Sequence, residues 1–508
     1  MMPPHTVSAQ RAPRRLLDAS KWVVTLSVLF GAIMGAVDTS VVNVALVRIQ
    51  ATYGVTTQQV TWVTAAYLIA VVIVMPLTAW VATVFGRRRM YLMAVAIFTG
   101  ASILCGVSRS LAQLIGFRIL QGLGGGALQP TAQAIMRETF PADEQGQAMG
   151  FFGMIVLLGP AIGPTLGGWL TDRFSWPWIF FVNVPIGVIA LVLGVRFIVD
   201  PPYMRGRGVR RIDAIGIGLL AVGLASLEIL LEQGEAARWF ASPAISTLAL
   251  VALGTLTAFV VWELRTPAPA VELRILRNTT YASGAFIGGV LGLALFGSLL
   301  LLPLFLQTML HYGATRAGLA LMPRSLTMVF LMPIAGILYN RLGVYIMLPF
   351  GMLMSALAAF LMGHFTLASD PLQIVVPQVV QGIEFAFMFV ALSTATLATI
   401  PPSQMQTATG LYNLVRQLGG SLGTAIVITV LNHRITTVSA TLGMDTARSG
   451  GDPRHISGVL SGLLHTQAVV ASFNYTFMVI GGLFLICLPL VLLMRRGRLR
   501  AQHETVLG

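Results

Sequence analysis

The chain has 508 residues, of which 56% are hydrophobic and only 10% are charged. A soluble protein of this length needs more charge on its surface, so the composition excludes that class. The formal net charge of +14 does not predict nucleic-acid binding, because the arginines cluster in short segments between long apolar runs. Two cysteines inside apolar runs and scattered histidines predict neither a disulfide framework nor a metal site, and we expect no cofactor.

Fourteen apolar stretches are each long enough to cross a lipid bilayer. A bilayer core takes about 20 residues of helix, and backbone groups in lipid must find their hydrogen bonds within the protein. The runs are continuous, which favours helices over the short alternating strands of a barrel. The predicted fold class is therefore an all-α polytopic membrane protein, with spans at 23–47, 60–82, 90–107, 112–136, 146–170, 178–199, 213–232, 243–263, 282–310, 316–340, 345–367, 372–399, 405–431 and 473–494.

The basic residues predict which side of the membrane each loop faces. An even number of spans places both termini on one side. With both termini in the cytoplasm, 20 of the 32 Lys and Arg residues fall in the tails and inner loops and 8 in outer loops. This bias is typical of cytoplasmic segments, so residues 1–22 and 495–508 are predicted to be cytoplasmic tails. The first span follows a basic segment without a small-residue cleavage site, which indicates an uncleaved anchor.

Two segments of the chain repeat weakly. The sequence from Gly336 to Gly343 after span 10 echoes residues 79–86 after span 2, and Gln378 to Gly382 in span 12 echoes Arg118 to Gly122 in span 4. Both pairs come in the same order, which predicts two related six-helix bundles, as in secondary transporters. We predict a first bundle at 23–200, two inserted helices with basic flanking loops at 201–280, and a second bundle at 281–494 that includes a long outer loop at 432–472.

Several motifs occur together in a recognisable order. They are Val37–Leu46 in span 1, Trp62–Tyr67 in span 2, Arg118 with Gln121, Gly122 and Gly124 in span 4, Gly159–Gly168 in span 5, Trp176–Gly187 around the start of span 6, and Asn413–Thr424 in span 13. Each motif alone is weak, but the ordered set resembles the major facilitator superfamily, in its fourteen-span drug:proton antiporter branch of Emr-type multidrug exporters. The resemblance covers nearly the whole chain.

The resemblance implies a proton-coupled exporter of lipophilic small molecules in the inner (cytoplasmic) membrane. It also implies that a periplasmic adaptor and an outer-membrane channel are partners. Four positions depart from the family pattern. The loop after span 2 has Ala79, Thr83 and Val84 where a glycine, an acid and an arginine are usual, and its repeat after span 10 has Asn340 in place of the acid. A gate built on that acid is therefore not expected in its usual form.

Charged residues inside spans are the first functional candidates. A charge at the middle of a bilayer costs about 2.5–3.5 kcal/mol on insertion scales, so it usually faces a cavity or a partner. We assign proton coupling to Asp38, Arg118 and Glu384, with Arg118 stabilising an ionised carboxyl. The alternative for Glu384 is a structural pair with Arg416 or Arg324, and Arg324 could instead snorkel toward the outer surface. Glu228 and Glu232, at the end of span 7, are predicted to lie at the outer interface.

Two further sets of residues complete the predicted site. The first is a substrate cavity, for which polar, aromatic and Met side chains suit lipophilic cations: Asn43, Trp62, Tyr67, Gln121, Gln381, Phe385, Met388, Asn413 and Arg416. The second set is assigned to gating and helix packing: Gly159, Pro160, Gly163, Pro164 and Gly167, and in the repeated loops Gly86, Arg87, Gly336, Arg341 and Gly343. The glycines of span 5 recur every four residues on one face, which predicts a close, pliable contact between the two bundles near the outer gate.

Two alternatives remain open. The same fold could export one metabolite, such as a siderophore, a fatty acid or an anionic conjugate, and intramembrane arginines would favour an anion. The chain could also be a non-transporting receptor or scaffold that uses the long outer loop as its partner surface. An enzyme is not predicted, because the sequence has no phosphate-binding loop, metal-ligand cluster or Ser/His/Asp arrangement.

Overall fold

The computed structural model describes residues 14–200, 213–448 and 458–494. The predicted cytoplasmic tail at 495–508, residues 1–13 of the other tail and most of the basic loop before the inserted helices lie outside these ranges. The prediction of an all-α chain is confirmed.

Three groups of helices follow one another along the chain. The N-terminal bundle contains α1 (Arg14–Tyr53), α2 (Thr57–Val60), α3 (Trp62–Phe85), α4 (Arg87–Gly106), α5 (Leu111–Thr139), α6 (Gln145–Arg173), α7 (Trp178–Phe181) and α8 (Asn183–Phe197). The inserted pair is α9 (Ala214–Gln233) and α10 (Pro243–Arg265). The C-terminal bundle contains α11 (Thr279–Thr308), α12 (Ala314–Leu342), α13 (Val344–Met362), α14 (Pro371–Leu397), α15 (Met405–Arg448) and α16 (Gly458–Cys487).

Fourteen described helical segments are of membrane-spanning length when α7 and α8 are counted as one, and thirteen of these segments are apolar enough to cross a bilayer. The exception is α5, whose 29 residues include Arg118, Gln121 and a run of glycines. These polar side chains are tolerated because α5 packs against α1, α3 and α4, so its polar face meets protein rather than lipid. Successive long helices run in opposite directions. We call the end where α1 begins and α16 ends the tail face, and the opposite end the far face.

Local sequence signals fix several helix starts. The Ser110 side chain accepts the Gln113 backbone N–H at the start of α5, and the Asn278 side chain accepts the Tyr281 N–H at the start of α11. Asp370 and Gln373 form a reciprocal capping box at α14. Each cap satisfies backbone N–H groups that the first helical turn leaves unpaired. These starts place the repeated polar residues of α5 and α14 at matching depths in their bundles.

The prediction of a long outer loop at 432–472 is wrong, because most of this segment is helical. Helix α15 continues to Arg448 and α16 already begins at Gly458. At 1.5 Å per residue, the 44 residues of α15 span about 66 Å, twice the bilayer core of about 30 Å. The two helices therefore extend beyond the far face.

The bundles meet along a seam. In this seam α3 of the N-terminal bundle packs against α15, and α6 packs against α12 and α14. The inserted helix α9 contacts both α3 and α15, so the inserted pair lies over one edge of the seam. The two bundles and the inserted pair are thus joined at α15.

The stripe of Gly159, Gly163 and Gly167 on α6 packs within its own bundle, so the predicted contact of this stripe with the other bundle is wrong. A Cβ atom at Gly159 would lie 2.4 Å from the Ala36 carbonyl carbon, and one at Gly163 would lie 1.8 Å from the Ser40 hydroxyl. A Cβ at Gly167 would lie 2.9 Å from the Val41 carbonyl oxygen. All three partners belong to α1 of the same bundle. The glycines bind α6 to α1, and α6 continues as one helix through Pro160 and Pro164.

Candidate functional site: a buried ion pair and an interbundle seam

A buried ion pair lies inside the N-terminal bundle. Arg118 on α5 places its Nη1 atom 2.5 Å from Oδ2 of Asp38 on α1, and both side chains are fully shielded from solvent. Arg118 Nε also donates to the backbone carbonyl of Val63 at 3.0 Å. A charge-assisted bond of this length between two desolvated groups is strong only because each charge has a partner. The sequence prediction that Asp38 and Arg118 act together thus corresponds to direct contact.

Amide and hydroxyl groups complete the surroundings of Asp38. Gln121 Nε2 donates to Asp38 Oδ1 at 2.8 Å, and Asn183 Nδ2 donates to the same oxygen at 3.1 Å. Ser102 Oγ accepts from both amides and donates to the Phe180 carbonyl at 2.8 Å. These donors make an ionised Asp38 tolerable in the interior of the bundle. The network therefore depends on the relative positions of five helices, α1, α4, α5, α7 and α8.

Tyr67 lies on this network rather than on an open cavity. Its ring centroid is 4.1 Å from the Arg118 guanidinium carbon, a cation–π contact, and the side chain is buried. The prediction that Tyr67 lines an open cavity is therefore wrong. Its ring packs on Arg118 instead, because an aromatic face stabilises a buried cation. Asn183 and Ser102 were not among the predicted site residues. The only signal in the sequence is their polarity within apolar spans.

A second polar cluster lies in the C-terminal bundle. Arg324 on α12 donates from Nη1 to Ser298 Oγ at 3.0 Å and to Gln381 Oε1 at 3.4 Å. It is 2% exposed, so the alternative that it snorkels is wrong. Glu384 on α14 is 1% exposed, and its Oε2 atom has no hydrogen-bond partner among the described residues. Arg324 and Ser355 are its polar neighbours, so of the two arginines considered as partners the structure places Arg324 closer.

Phe385 and Met388 do not present surface to a substrate in this conformation. Both are almost completely buried, and Met388 Cγ would lie 2.4 Å from a Cβ atom at Gly351 of α13. Their assignment to an open cavity is corrected, because helix packing within the C-terminal bundle covers them. Gln381 is likewise buried. Asn43 is exposed and Trp62 is partly exposed toward the far face, and their contact with a substrate stays a prediction.

An amide network crosses the seam between α5 and α15. Asn413 Nδ2 on α15 donates to Gln133 Oε1 on α5 at 2.7 Å. Arg416 Nη2 donates to Gln129 Oε1 at 3.1 Å and to Asn413 Oδ1 at 2.9 Å. The predicted residues Asn413 and Arg416 therefore lie between the bundles. Gln129 and Gln133 were missed, although their spacing of four puts them on one face of α5.

Close backbone contact joins the bundles at the tail face. A Cβ atom at Gly146 of α6 would lie 2.6 Å from the Gly336 carbonyl oxygen of α12, and the reverse distance is also 2.6 Å. The side chain of Asn340 donates to the backbone carbonyl of Asp143 nearby. On the other side of the seam, a Cβ at Gly410 of α15 would lie 2.5 Å from the Met75 carbonyl oxygen. Backbones this close leave no passage, so the seam is closed at the tail face.

The loop between α3 and α4 forms its polar contacts with acids from elsewhere in the N-terminal bundle. Gly86 and Gly343 both adopt positive φ, at 83° and 69°, which only glycine adopts without strain. Arg87 pairs with both oxygens of Glu138, at 2.8 and 3.0 Å. The Asp200 carboxylate accepts the Arg88 backbone N–H at 2.8 Å, next to Gly86. Glu138 and Asp200 thus supply the acids that the sequence lacks at Thr83, whereas Arg341 is exposed at the tail face.

Two bundles joined across a seam that is closed at one face, with ionisable groups sealed inside, define a polytopic membrane transporter. Residues 28–424 match the family model of the Major Facilitator Superfamily. The chain belongs to this superfamily.

Relatives are similar over almost the whole chain. Multidrug export protein EmrB of Escherichia coli K12 is 33% identical over 488 residues, which are 92% of this chain and 94% of that protein. Fatty acid resistance protein FarB of Neisseria gonorrhoeae is 32% identical over 491 residues, 93% of this chain and 96% of that protein. The resemblance to Emr-type exporters is therefore confirmed.

Solved structures of the superfamily share the fold. The human organic anion transporter MFSD10 superposes with a TM-score of 0.59 at 15% identity, over 95% of this chain and 100% of that chain. The proton:xylose symporter XylE superposes with a TM-score of 0.60 at 13% identity, over 93% of this chain and 95% of that chain. At these identities the similarity extends to the fold alone.

Proposed function

We propose that the protein exports lipophilic, drug-like compounds in exchange for protons. The observation that carries this proposal is the Asp38–Arg118 pair, a carboxylate and a guanidinium held 2.5 Å apart inside a membrane bundle. Burying both charges costs desolvation free energy, and their mutual attraction offsets this cost only while both groups are charged and in contact. A proton that binds Asp38 neutralises the carboxylate and removes its attraction for Arg118. Protonation would thus allow α1 and α5 to move relative to each other.

The exchange follows from the position of this pair. Asp38 lies on α1, and the glycine face of α6 is packed on the same stretch of α1. Helix α6 in turn forms the tail-face contact through Gly146. Protonation of Asp38 can therefore change the packing of α1 and α6 and so bias the seam between open and closed. A membrane potential contributes about 2.3 kcal/mol per proton per 100 mV to this cycle.

We also propose that the tail face is cytoplasmic and that the membrane is the inner membrane, because basic residues concentrate in the loops of that face. The structure would then represent a state closed to the cytoplasm. The extensions of α15 and α16 would project into the periplasm. A periplasmic adaptor and an outer-membrane channel, which the Emr-type resemblance implies, would meet the transporter there.

A second candidate cargo is one anionic amphiphile, such as a fatty acid. Two observations favour it: the relative FarB is a fatty acid resistance protein, and Arg416 is only partly buried in the seam. Lipophilic cations remain the first candidate, because EmrB is a multidrug export protein and an opening seam would separate the stacked rings of Phe152 and Phe389, whose faces attract cations.

A substrate panel in everted membrane vesicles separates these cargoes. Vesicles with an acidic interior are expected to accumulate several unrelated lipophilic compounds, cations among them, and to lose this uptake when a protonophore removes the gradient. Uptake of a single anionic amphiphile, with none of the cations, would select the second candidate. Uptake unaffected by the protonophore would refute proton coupling for both.

A further inference from the structure

A buried carboxyl lies between the inserted pair and the C-terminal bundle. The sequence predicts Glu228 at the outer interface, but the structure gives it 0% exposure. Its Oε1 atom accepts a hydrogen bond from Ser421 Oγ of α15 at 2.6 Å. Its Oε2 atom is buried and has no hydrogen-bond partner among the described residues. The prediction is wrong because α9 packs against α15 and α3, so that what looks like a helix end in the sequence is a helix interface.

The contact is reinforced closer to the far face. Glu235, just beyond α9, accepts hydrogen bonds from Asn432 Nδ2 at 2.9 Å and from Thr429 Oγ1 at 3.1 Å. Trp239 Nε1 donates to Glu235 at 2.8 Å. Against α3, by contrast, α9 meets a helix that carries no Asp, Glu, Lys or Arg. The inserted pair is therefore tied to α15 by polar bonds, whereas α3 presents no charged residue to it.

No free positive charge among the described residues of the neighbouring helices is placed to compensate an ionised Glu228. On α9 itself the nearest charged residue in sequence is another acid, Glu232, one turn away and exposed. On α15 the nearest is Arg416, five residues before Ser421 and already bonded to Gln129 and Asn413. Helix α3 has none, and the acidic and basic residues of α10, Glu263 and Arg265, lie at its opposite end. An ionised carboxylate with one bare oxygen is costly in such a place, whereas the protonated carboxyl is neutral.

We propose that Glu228 is a second proton-binding site of the transporter and that its protonation holds the inserted pair against α15. The proposal rests on the proposed proton-coupled export. Protonated Glu228 keeps the α9–α15 contact dry, and loss of the proton draws water or a cation into the contact and loosens it. Because α15 also carries Asn413 and Arg416 across the seam, Glu228 links the inserted pair to the opening of the seam.

Infrared difference spectroscopy of the reconstituted protein tests the site directly. Between acidic and alkaline pH, the wild type and the control Glu232→Gln are expected to show a protonated-carboxyl band that Glu228→Gln lacks. Ser421→Ala is expected to shift the frequency of this band, because Glu228 Oε1 loses its donor. An unchanged band in Glu228→Gln overturns the proposal. This spectrum needs no transport, so it still reports on Glu228 if proton-coupled export is refuted.

Substrate exchange measured at equal pH on both sides tests the effect on function. In an Asp38→Asn background the exchange rate is expected to fall with rising pH, by at most about tenfold per pH unit for a single proton. Adding Glu228→Gln is expected to remove this dependence, whereas adding Glu232→Gln keeps it. The same pH profile with and without Glu228→Gln would overturn the proposed role in movement. If Glu228→Gln does not fold, the Ser421→Ala band shift decides the assignment of the site.

Discussion

Replacing Arg118 with glutamine is expected to destabilise the protein by about 3–5 kcal/mol, because Asp38 is left as an uncompensated charge inside the bundle. The neutral amide cannot replace the 2.5 Å contact between Arg118 Nη1 and Asp38 Oδ2. Thermal unfolding of the purified protein in detergent measures the loss. Adding Asp38→Asn to Arg118→Gln is expected to recover most of it, because no buried charge then remains.

A matched control comes from an exposed pair on the far side of the same bundle. Arg48 and Asp172 lie 3.4 Å apart with side chains 66% and 74% exposed. Arg48→Gln is expected to leave unfolding nearly unchanged, since water solvates both partners. A double variant destabilised by the sum of the effects of Arg118→Gln and Asp38→Asn would contradict the account, because the two mutations would then act independently.

Replacing Gly146 with leucine is expected to lower substrate export at least tenfold, since about 1.4 kcal/mol of lost closure already costs a factor of ten. A Cβ atom at Gly146 would lie 2.6 Å from the Gly336 carbonyl oxygen, so the seam cannot close at the tail face. Transport is measured in everted vesicles. Labelling of an introduced Met332→Cys by an impermeant maleimide is expected to rise in parallel, because Met332 is buried in the closed contact, beside Gly150 of α6.

Gly100 on α4 is the control for this substitution. A Cβ atom there would meet nothing within 4 Å, so Gly100→Leu is expected to retain both export and the closed contact. The two native cysteines are buried and do not compete for the label. Full export by Gly146→Leu, with unchanged labelling, would show that closure at the tail face is not part of the transport cycle.

Some of the site could be predicted because lipid makes charges rare. Asp38 and Arg118 are conspicuous in spans 1 and 4, and the structure places them in contact. Glu384 and Arg324 are conspicuous for the same reason. What the sequence could not predict is which partner each charge meets, because that depends on the packing of helices distant in the chain.

Helix periodicity reveals a face but not its neighbour. The spacing of Gly159, Gly163 and Gly167 correctly predicts one smooth stripe, yet the stripe packs on α1 rather than on the other bundle. The interbundle contact uses Gly146 and Gly336 instead, which lie within two turns of the tail ends of their helices. Both sites satisfy the same sequence rule, so the sequence alone does not distinguish them.

Neutral amides escaped prediction for a related reason. Asn183, Gln129 and Gln133 cost less than a charge in a span, so nothing in the sequence distinguishes them from packing residues. Their roles appear only when Asn183 reaches Asp38 and Gln133 reaches Asn413 of the other bundle. Glu228 was misassigned because its burial depends on the inserted pair docking on α15, and a hydropathy pattern carries no information on docking.

Substrate-induced proton release from acid-loaded proteoliposomes tests the central claim, that Asp38 couples protons to export. Addition of a transported compound to the wild type is expected to dissipate the pH gradient, as a trapped pH-sensitive dye would report. Asp38→Asn is expected to abolish this signal while retaining substrate exchange in the absence of a gradient. Full substrate-induced proton release by Asp38→Asn would contradict the account and assign the coupling to another group.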